Sequence, residues 1–336
     1  MCRSFIAFFV SILFINISFA ADAPAEGEPY NPSADIMHHI ADANEFHVFG
    51  DISIPLPVIL YNQESGDFDM FMSSKFEHGA KEVNGYVLDH GQVVSASGHK
   101  FIDFSITKNV FTMLFASILM FILFVSIAKA YREREGKAPK GVQSFFEPLI
   151  LFVRDEIAVP NLGHRADRFL PYLLTVFFFI WIVNMMGLIP IFPGSANVTG
   201  NIAVTLVLAF FTMLITNLSG NKYYWKHIFA PEVPFWLWPI MVIVEMIGVI
   251  AKPFALMIRL FANITAGHII ILSLVSLIFV FGELGKNMGG AALGAGIAIP
   301  FVLFMNLIEL LVAFLQAFIF TILSAVFIGL AVEEAH

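Results

Sequence analysis

Apolar residues in this chain gather into long runs rather than into the short alternations of a soluble fold. Residues 110–128, 169–191 and 202–218 each suffice for one crossing of a hydrocarbon core about 30 Å thick. Two further runs are over-long. The run 234–281 is interrupted by only four ionisable residues, Glu245, Lys252, Arg259 and His268, and 297–332 carries Pro300, Asn306, Glu309 and Gln316 inside it. A single helix over the first of these would approach about 70 Å at 1.5 Å per residue, so it is either a hairpin broken near Lys252-Pro253 or one steeply tilted helix. The predicted fold class is an all-α polytopic membrane protein of about five spans, two of them long and tilted. Two such neighbours suggest curvature around a partner. The small-residue tract 289–296 is the predicted turn between them.

The flanks set orientation. Lys129, Arg132, Arg134, Lys137 and Lys140 follow the first span, and Lys222, Lys226 and His227 follow 202–218. Basic residues favour the cytoplasmic side, which predicts a bacterial inner-membrane protein with its N-terminal extension periplasmic and its C-terminus cytoplasmic. The stretch 145–153 is apolar but contains Glu147 and Pro148 and leads into the charged segment from Arg154 to Arg168. It reads as an interfacial helix rather than a crossing.

Ahead of the spans, residues 1–20 combine Arg3, an apolar core from Phe5 to Ile17 and the small residues Ser18 and Ala20. That layout predicts a cleaved signal peptide; the alternative is an uncleaved anchor, for which the run is short. Cleavage after Ala20 would remove Cys2, the only cysteine, so neither a disulfide nor a thiolate metal site is expected. Residues 21–105 then read as an exported extension of mixed structure. A helix near 36–46 precedes hairpin strands at 52–61 and 86–88, punctuated by Gly50-Asp51, Ser65-Gly66-Asp67 and His90-Gly91. The membrane domain is 106–336.

Composition agrees: 58% of the residues are hydrophobic, against about 45–50% in soluble domains. The formal charge of -8 is concentrated in residues 21–100, which hold 13 Asp and Glu against Lys75, Lys81 and Lys100. That balance argues against nucleic acid as a partner. Six of the ten histidines also lie in the extension, but no pair has the spacing of a helical metal site. They read as surface residues, and no cofactor is expected.

Arg259 is the most informative position. At bilayer depth an Arg costs roughly 2.5–3.5 kcal/mol on the insertion scale, so it must face protein or water and have a purpose. Glu245, Lys252, Arg259 and Asn263 are 7, 7 and 4 residues apart, which lines them on one stripe if Pro253 leaves the helix intact. His268 falls on the opposite side, about 13.5 Å further along the axis. On the last helix Asn306, Glu309 and Gln316 form another stripe. If the two helices are antiparallel neighbours, Glu309 reaches the level of His268 and Gln316 that of Arg259. An imidazole, which ordinarily titrates near neutrality, beside a carboxyl group suits proton relay, and favours H⁺ over Na⁺. A guanidinium does not deprotonate, so Arg259 can gate protons but not carry them. Lys252 reads as a snorkelling anchor, and Glu245 as either an interfacial residue or part of the path.

The stretch Lys252-Pro-Phe-Ala-Leu-Met-Ile-Arg-Leu-Phe-Ala-Asn-Ile-Thr-Ala-Gly-His268 resembles the signature of subunit a of F-type ATP synthases. Leu315-Gln-Ala-Phe-Ile-Phe320, Asn184-Met-Met-Gly-Leu-Ile-Pro190 and Ser195-Ala-Asn-Val-Thr199 are similar to the same family, in the same order, over about residues 108–336. The resemblance implies a proton-conducting stator subunit lying against a rotating ring of c subunits, each with a membrane carboxylate, beside peripheral-stalk b subunits and the remaining subunits of the synthase. It further implies that Arg259 separates two offset half-channels. Protons would come in past Asn263, His268, Glu309 and Gln316 and leave near Glu245. Many relatives carry the acid where His268 stands and the His where Glu309 stands, so the pair is exchanged here. Gly187 stands where some relatives have an acid.

Other classes fit less well. The chain has no P-loop, so it is not itself the ATP-making catalyst. An autonomous ion-coupled secondary transporter would show two related halves with broken helices, and none is evident. An intramembrane metalloenzyme on His268 and Glu309 lacks both a second histidine and HExxH.

Overall fold

The structure, a computed structural model, describes residues 32–49, 52–79, 81–89, 91–96, 98–189, 192, 194, 196–231, 233–234, 236–283 and 286–333. The predicted signal peptide at 1–20 lies outside the described residues, as does the Gly50-Asp51 turn.

Helix α1 (Pro32–Ile40) opens the described chain, followed by β1 (Glu45–Phe49), β2 (Ile52–Pro55), β3 (Pro57–Asn62) and β4 (Phe68–Met72). A 3₁₀ segment (Ser73–Gly79) leads to β5 (Tyr86–Asp89), β6 (Gln92–Ser95) and β7 (Phe101–Asp103). The helix expected near 36–46 ends earlier, because Glu45 to Phe49 pairs antiparallel with β2, Phe46 opposite Ile54. Three small sheets result: β1-β2, β4-β3-β7 and β5-β6. At the predicted Ser65-Gly66-Asp67 turn, Asn62 Oδ1 accepts from the N–H groups of Glu64 (2.9 Å) and Ser65 (3.3 Å). Gly66 there takes φ +76°, a backbone conformation that side-chain-bearing residues rarely adopt. Val58, Leu60 and Phe71 turn inward onto Phe76, Tyr86 and Val93 to form the core of this region.

The membrane portion comprises α2 (Lys108–Glu133), α3 (Val142–Phe152), α4 (Val159–Leu162), α5 (Ala166–Gly187), α6 (Ile202–Ser219), α7 (Lys222–Phe229), α8 (Trp238–Phe281) and α9 (Met288–Val332). A π-helical turn (Val153–Ala158) and a 3₁₀ turn (Gly163–Arg165) join α3 to α5. Among the described residues, five helical stretches are long and apolar enough to cross a membrane: Lys108–Glu133, Val142–Gly187, Ile202–Ser219, Trp238–Phe281 and Met288–Val332. The protein is thus an all-α multi-pass membrane protein with a mixed N-terminal extension. Of the two alternatives for 234–281, the structure takes the single helix: α8 runs unbroken through Pro253.

The turn expected at 289–296 is not one. Those residues are the first turns of α9, which begins at Met288. Asn287 Oδ1 accepts from the Gly290 N–H at 2.9 Å, an N-cap for α9. The glycines serve close packing. A Cβ on Gly290 would stand 1.9 Å from the Phe281 carbonyl oxygen, and one on Gly294 3.1 Å from Ile278 Cα. In lipid, where hydrophobic burial does not drive helices together, such small residues let backbones approach.

The chain divides into two compact units. One holds the residues up to Phe115, Val183–Val198 and Ile264–Leu311; the other holds Ala116–Ile182, Thr199–Asn263 and the residues from Val312 onward. In the first, Asp42 ties the extension to the start of α2. Its carboxylate accepts from the Thr107 hydroxyl (2.8 Å) and the Asn109 N–H (3.2 Å), while the Lys108 N–H donates to the Ala43 carbonyl at 2.9 Å. Phe46 meets Phe111 and Phe192 edge to face, and Phe111 and Phe192 are tilted against each other, at centroid distances of 5.2–5.6 Å. In the second, Leu173, Phe177, Phe178, Leu256, Leu260 and Ile328 form a buried core. The Tyr172 and Thr212 hydroxyls, 2.7 Å apart, and Ser324 Oγ, 3.4 Å from Thr212, join α5, α6 and α9 through polar contacts.

Candidate functional site

His268 and Glu309 meet. Nδ1 of His268 lies 2.6 Å from Oε1 of Glu309, with 19% of the imidazole side chain and 5% of the carboxylate side chain exposed. The residues sit on α8 and α9, which approach closely where Gly290 and Gly294 lie against Phe281 and Ile278. This is the pairing the helical spacing predicts.

Sequence reasoning missed what makes the contact fit. A Cβ on Gly267 would stand 2.9 Å from Glu309 Oε1 and 3.3 Å from its Cδ, so only glycine leaves the carboxylate its place. Two buried polar atoms flank the pair in sequence: Asn306 Nδ2, three residues before Glu309, and Thr265 Oγ1, three residues before His268. Neither has a hydrogen-bond partner among the described residues. Positions three apart share a helix face. The Asn306 spacing signalled its face in advance, whereas nothing in the sequence signalled Thr265.

Gly267→Ala is expected to push the Glu309 carboxylate off His268 and slow proton conduction about tenfold. That is the scale of losing a charge-assisted hydrogen bond worth about 1.5 kcal/mol. Gly248→Ala on the same helix, where an added Cβ meets nothing within 4 Å, is the control. Passive proton flux in vesicles reads both, and equal flux in the two variants would contradict the role given to Gly267.

In the other unit, Arg259 and Asn263 are both exposed on α8. Leu256, Met257 and Leu260 of the same helix segment are buried. Arg259 makes no hydrogen bond or ion pair among the described residues. Ile247, Ile250, Phe254 and Ile258 of the same helix are exposed as well, as is Lys252. Gln316 is buried at 3% exposure, and no hydrogen bond joins it to Arg259 among the described residues.

Glu245 is half-buried and has a neighbour that the sequence did not suggest, His227 on α7, with Nδ1 3.9 Å from its Oε2. Tyr224, also on α7, donates to Asn217 Oδ1 at 3.0 Å. Burial, and secondarily the Glu245 carboxylate, push its phenol above its ordinary value. Tyr224 lines a cavity of about 20 Å³ with Thr216, Asn217, Lys252, Pro253 and Phe327, room for one water. The Lys252 ammonium lies 5.8 Å from the Phe327 ring centroid, so its charge is held against an aromatic face. Gly187, where the resemblance led to an acid in some relatives, lies against the chain: an added Cβ would be 3.2 Å from the Ala196 carbonyl oxygen. No cluster of three or more His, Cys, Asp or Glu suited to a metal occurs among the described residues.

Comparison with known proteins adds the family. The family described as "ATP synthase A chain" matches residues 110–329, and one described as "Domain of unknown function (DUF8433)" matches residues 35–111. ATP synthase subunit a 2 of Chlorobaculum tepidum is 40% identical over 325 residues, covering 94% of this chain and 77% of its own. ATP synthase subunit a of Chloroherpeton thalassium is 44% identical over 316 residues, 90% of this chain and 79% of its own. ATP synthase subunit a of Myxococcus xanthus is 42% identical over 256 residues, 74% of this chain and 80% of its own. A match across the whole span region and two-fifths identity over nearly the full chain place the protein: it belongs to the ATP synthase A chain family.

Proposed function

We propose that this chain is the proton-conducting stator subunit of an F-type ATP synthase, not catalytic by itself, and that it works with the other subunits of that complex. The observation that carries the reading is Arg259. It is a permanent charge exposed on a long, mainly apolar helix, with no ion-pair or hydrogen-bond partner from its own chain among the described residues. In lipid alone that exposure would be costly, so the surface calls for a partner that brings a carboxylate and a polar path. A ring of c subunits, each with a membrane carboxylate, supplies both.

In this reading protons come in from the periplasmic side through Asn306, His268 and Glu309, with Thr265, Gln316 and Asn263 completing the polar path to the ring. Asn306 Nδ2 and Thr265 Oγ1, buried without partners among the described residues, would hold water in it, since an unpaired buried polar group costs about 1–3 kcal/mol. Arg259 draws the proton off each arriving carboxylate by stabilising its charged form, and its own fixed charge keeps the two half-channels from joining. Protons leave toward the cytoplasm past the Thr216–Tyr224 cavity and Glu245. A proton falling through 100 mV releases about 2.3 kcal/mol, so several are needed per ATP.

The chain is read as a signal peptide at 1–20, a periplasmic extension at 21–105 and a membrane domain at 106–336 in a bacterial inner membrane, with b subunits as stalk partners. Cysteines at Ile258 or Ala262 of this chain, combined with cysteines one turn from the ring carboxylate, test the central contact. A disulfide that stops ATP-driven rotation is expected; failure to cross-link at either position under oxidising conditions would sink the assignment of this face to the ring.

A further inference from the structure

The extension has one surface that its acidic composition does not foretell. In the β4-β3-β7 sheet, Phe68, Met70 and Met72 stand opposite Tyr61, Ile59 and Pro57, and Ile102 stands opposite Tyr61 from the other side. Directly opposed residues point to one face. Phe104, whose N–H bonds the Ile59 carbonyl at 2.9 Å, continues the row. Phe68, Met70 and Phe104 are 57–70% exposed. The acids of these strands, Asp69 and Asp103, both lie opposite Leu60 and so belong to the other face. A region with 13 acidic residues against three lysines thus presents one aromatic and thioether surface free of acidic residues, with Lys100, paired across from Gln63, at its far end.

What covers it follows from where the sheet ends. Strand β7 passes through Phe104, Ser105, Ile106 and Thr107 straight into the membrane helix α2. Four residues reach at most about 14 Å, and the junction is held by the Asp42 contacts to Thr107 and Asn109. The polar layer between hydrocarbon and water is only about 5–7 Å deep on each side. The apolar face is therefore tethered within reach of the bilayer that α2 enters, and α2 itself exposes Leu114 and Phe115 in its first two turns. Phenyl, phenol and thioether groups suit the boundary between headgroups and acyl chains. The surrounding acidity favours uncharged, zwitterionic headgroups over anionic ones.

We propose that this sheet face is a lipid-docking surface, seated on the zwitterionic headgroup layer beside α2, which pins the extension flat on the membrane. The proposal does not depend on the proton path. It is tested in the whole ATP synthase complex, with Cys2 absent, reconstituted in phosphatidylcholine vesicles and carrying a nitroxide at Phe68→Cys, Met70→Cys or, as solvent control, Lys81→Cys. Collision with oxygen relative to collision with a water-soluble nickel chelate is expected to be several-fold higher at 68 and 70 than at 81. A nickel accessibility at 68 and 70 equal to that at 81 would overturn it by showing the face in water. Shielding from both agents would overturn it by showing a protein there. Ile102→Cys, on the same face, carries the same comparison if either strand variant fails to assemble.

Discussion

Arg259→Ala is expected to abolish proton-driven ATP synthesis while the subunit stays in the membrane and co-purifies with the rest of the complex. Stability should survive because the side chain is exposed and makes no hydrogen bond or ion pair among the described residues; the packing of this segment is carried by Leu256, Met257 and Leu260. Function should not survive, because in the proposed mechanism the guanidinium is the charge that favours deprotonation of a passing carboxylate. At about 4 Å and an effective dielectric of about 20 that attraction is worth about 4 kcal/mol, close to a thousandfold in rate. Arg259→Lys keeps the charge but loses the planar fork that meets a carboxylate through two parallel bonds, so a residual rate between the two extremes is expected. ATP synthesis by energised vesicles measures all three. Normal synthesis in Arg259→Ala would remove the gate from the account.

The second large effect concerns the buried pair. His268→Ala and Glu309→Ala are each expected to slow proton uptake about ten- to a hundredfold, from the loss of a charge-assisted contact worth about 1.5–3 kcal/mol. Because the two side chains are in direct contact at 2.6 Å, the double variant should be little slower than the slower single one. The exchange His268→Glu with Glu309→His restores one acid and one imidazole to the same place and should recover part of the flux. Strict additivity of the single losses would argue that the groups serve separate paths.

Much of this was legible in the residues. The length and purity of the apolar runs gave five spans, because the only way to bury so many apolar side chains without interruption is in lipid. The meeting of His268 with Glu309 followed from helical spacing on antiparallel neighbours. Other features were not legible because they depend on backbone proximity rather than side-chain character. The tract 289–296 looks like a turn by composition, yet its glycines are there to let α9 approach Phe281 and Ile278. Gly267 matters for what stands across from it, and Pro253 leaves α8 whole although proline commonly breaks helices. The link between Glu245 and His227 joins separate helices that no periodicity connects.

Passive proton uptake by vesicles that hold the membrane sector without its catalytic head is the most direct measurement of the central claim. The account predicts proton flux that requires both this chain and the ring carboxylate, is selective over Na⁺, and is lost or uncoupled from rotation in Arg259→Ala. Flux through this chain reconstituted without any ring would contradict it, since a gate that works by discharging ring carboxylates conducts nothing alone.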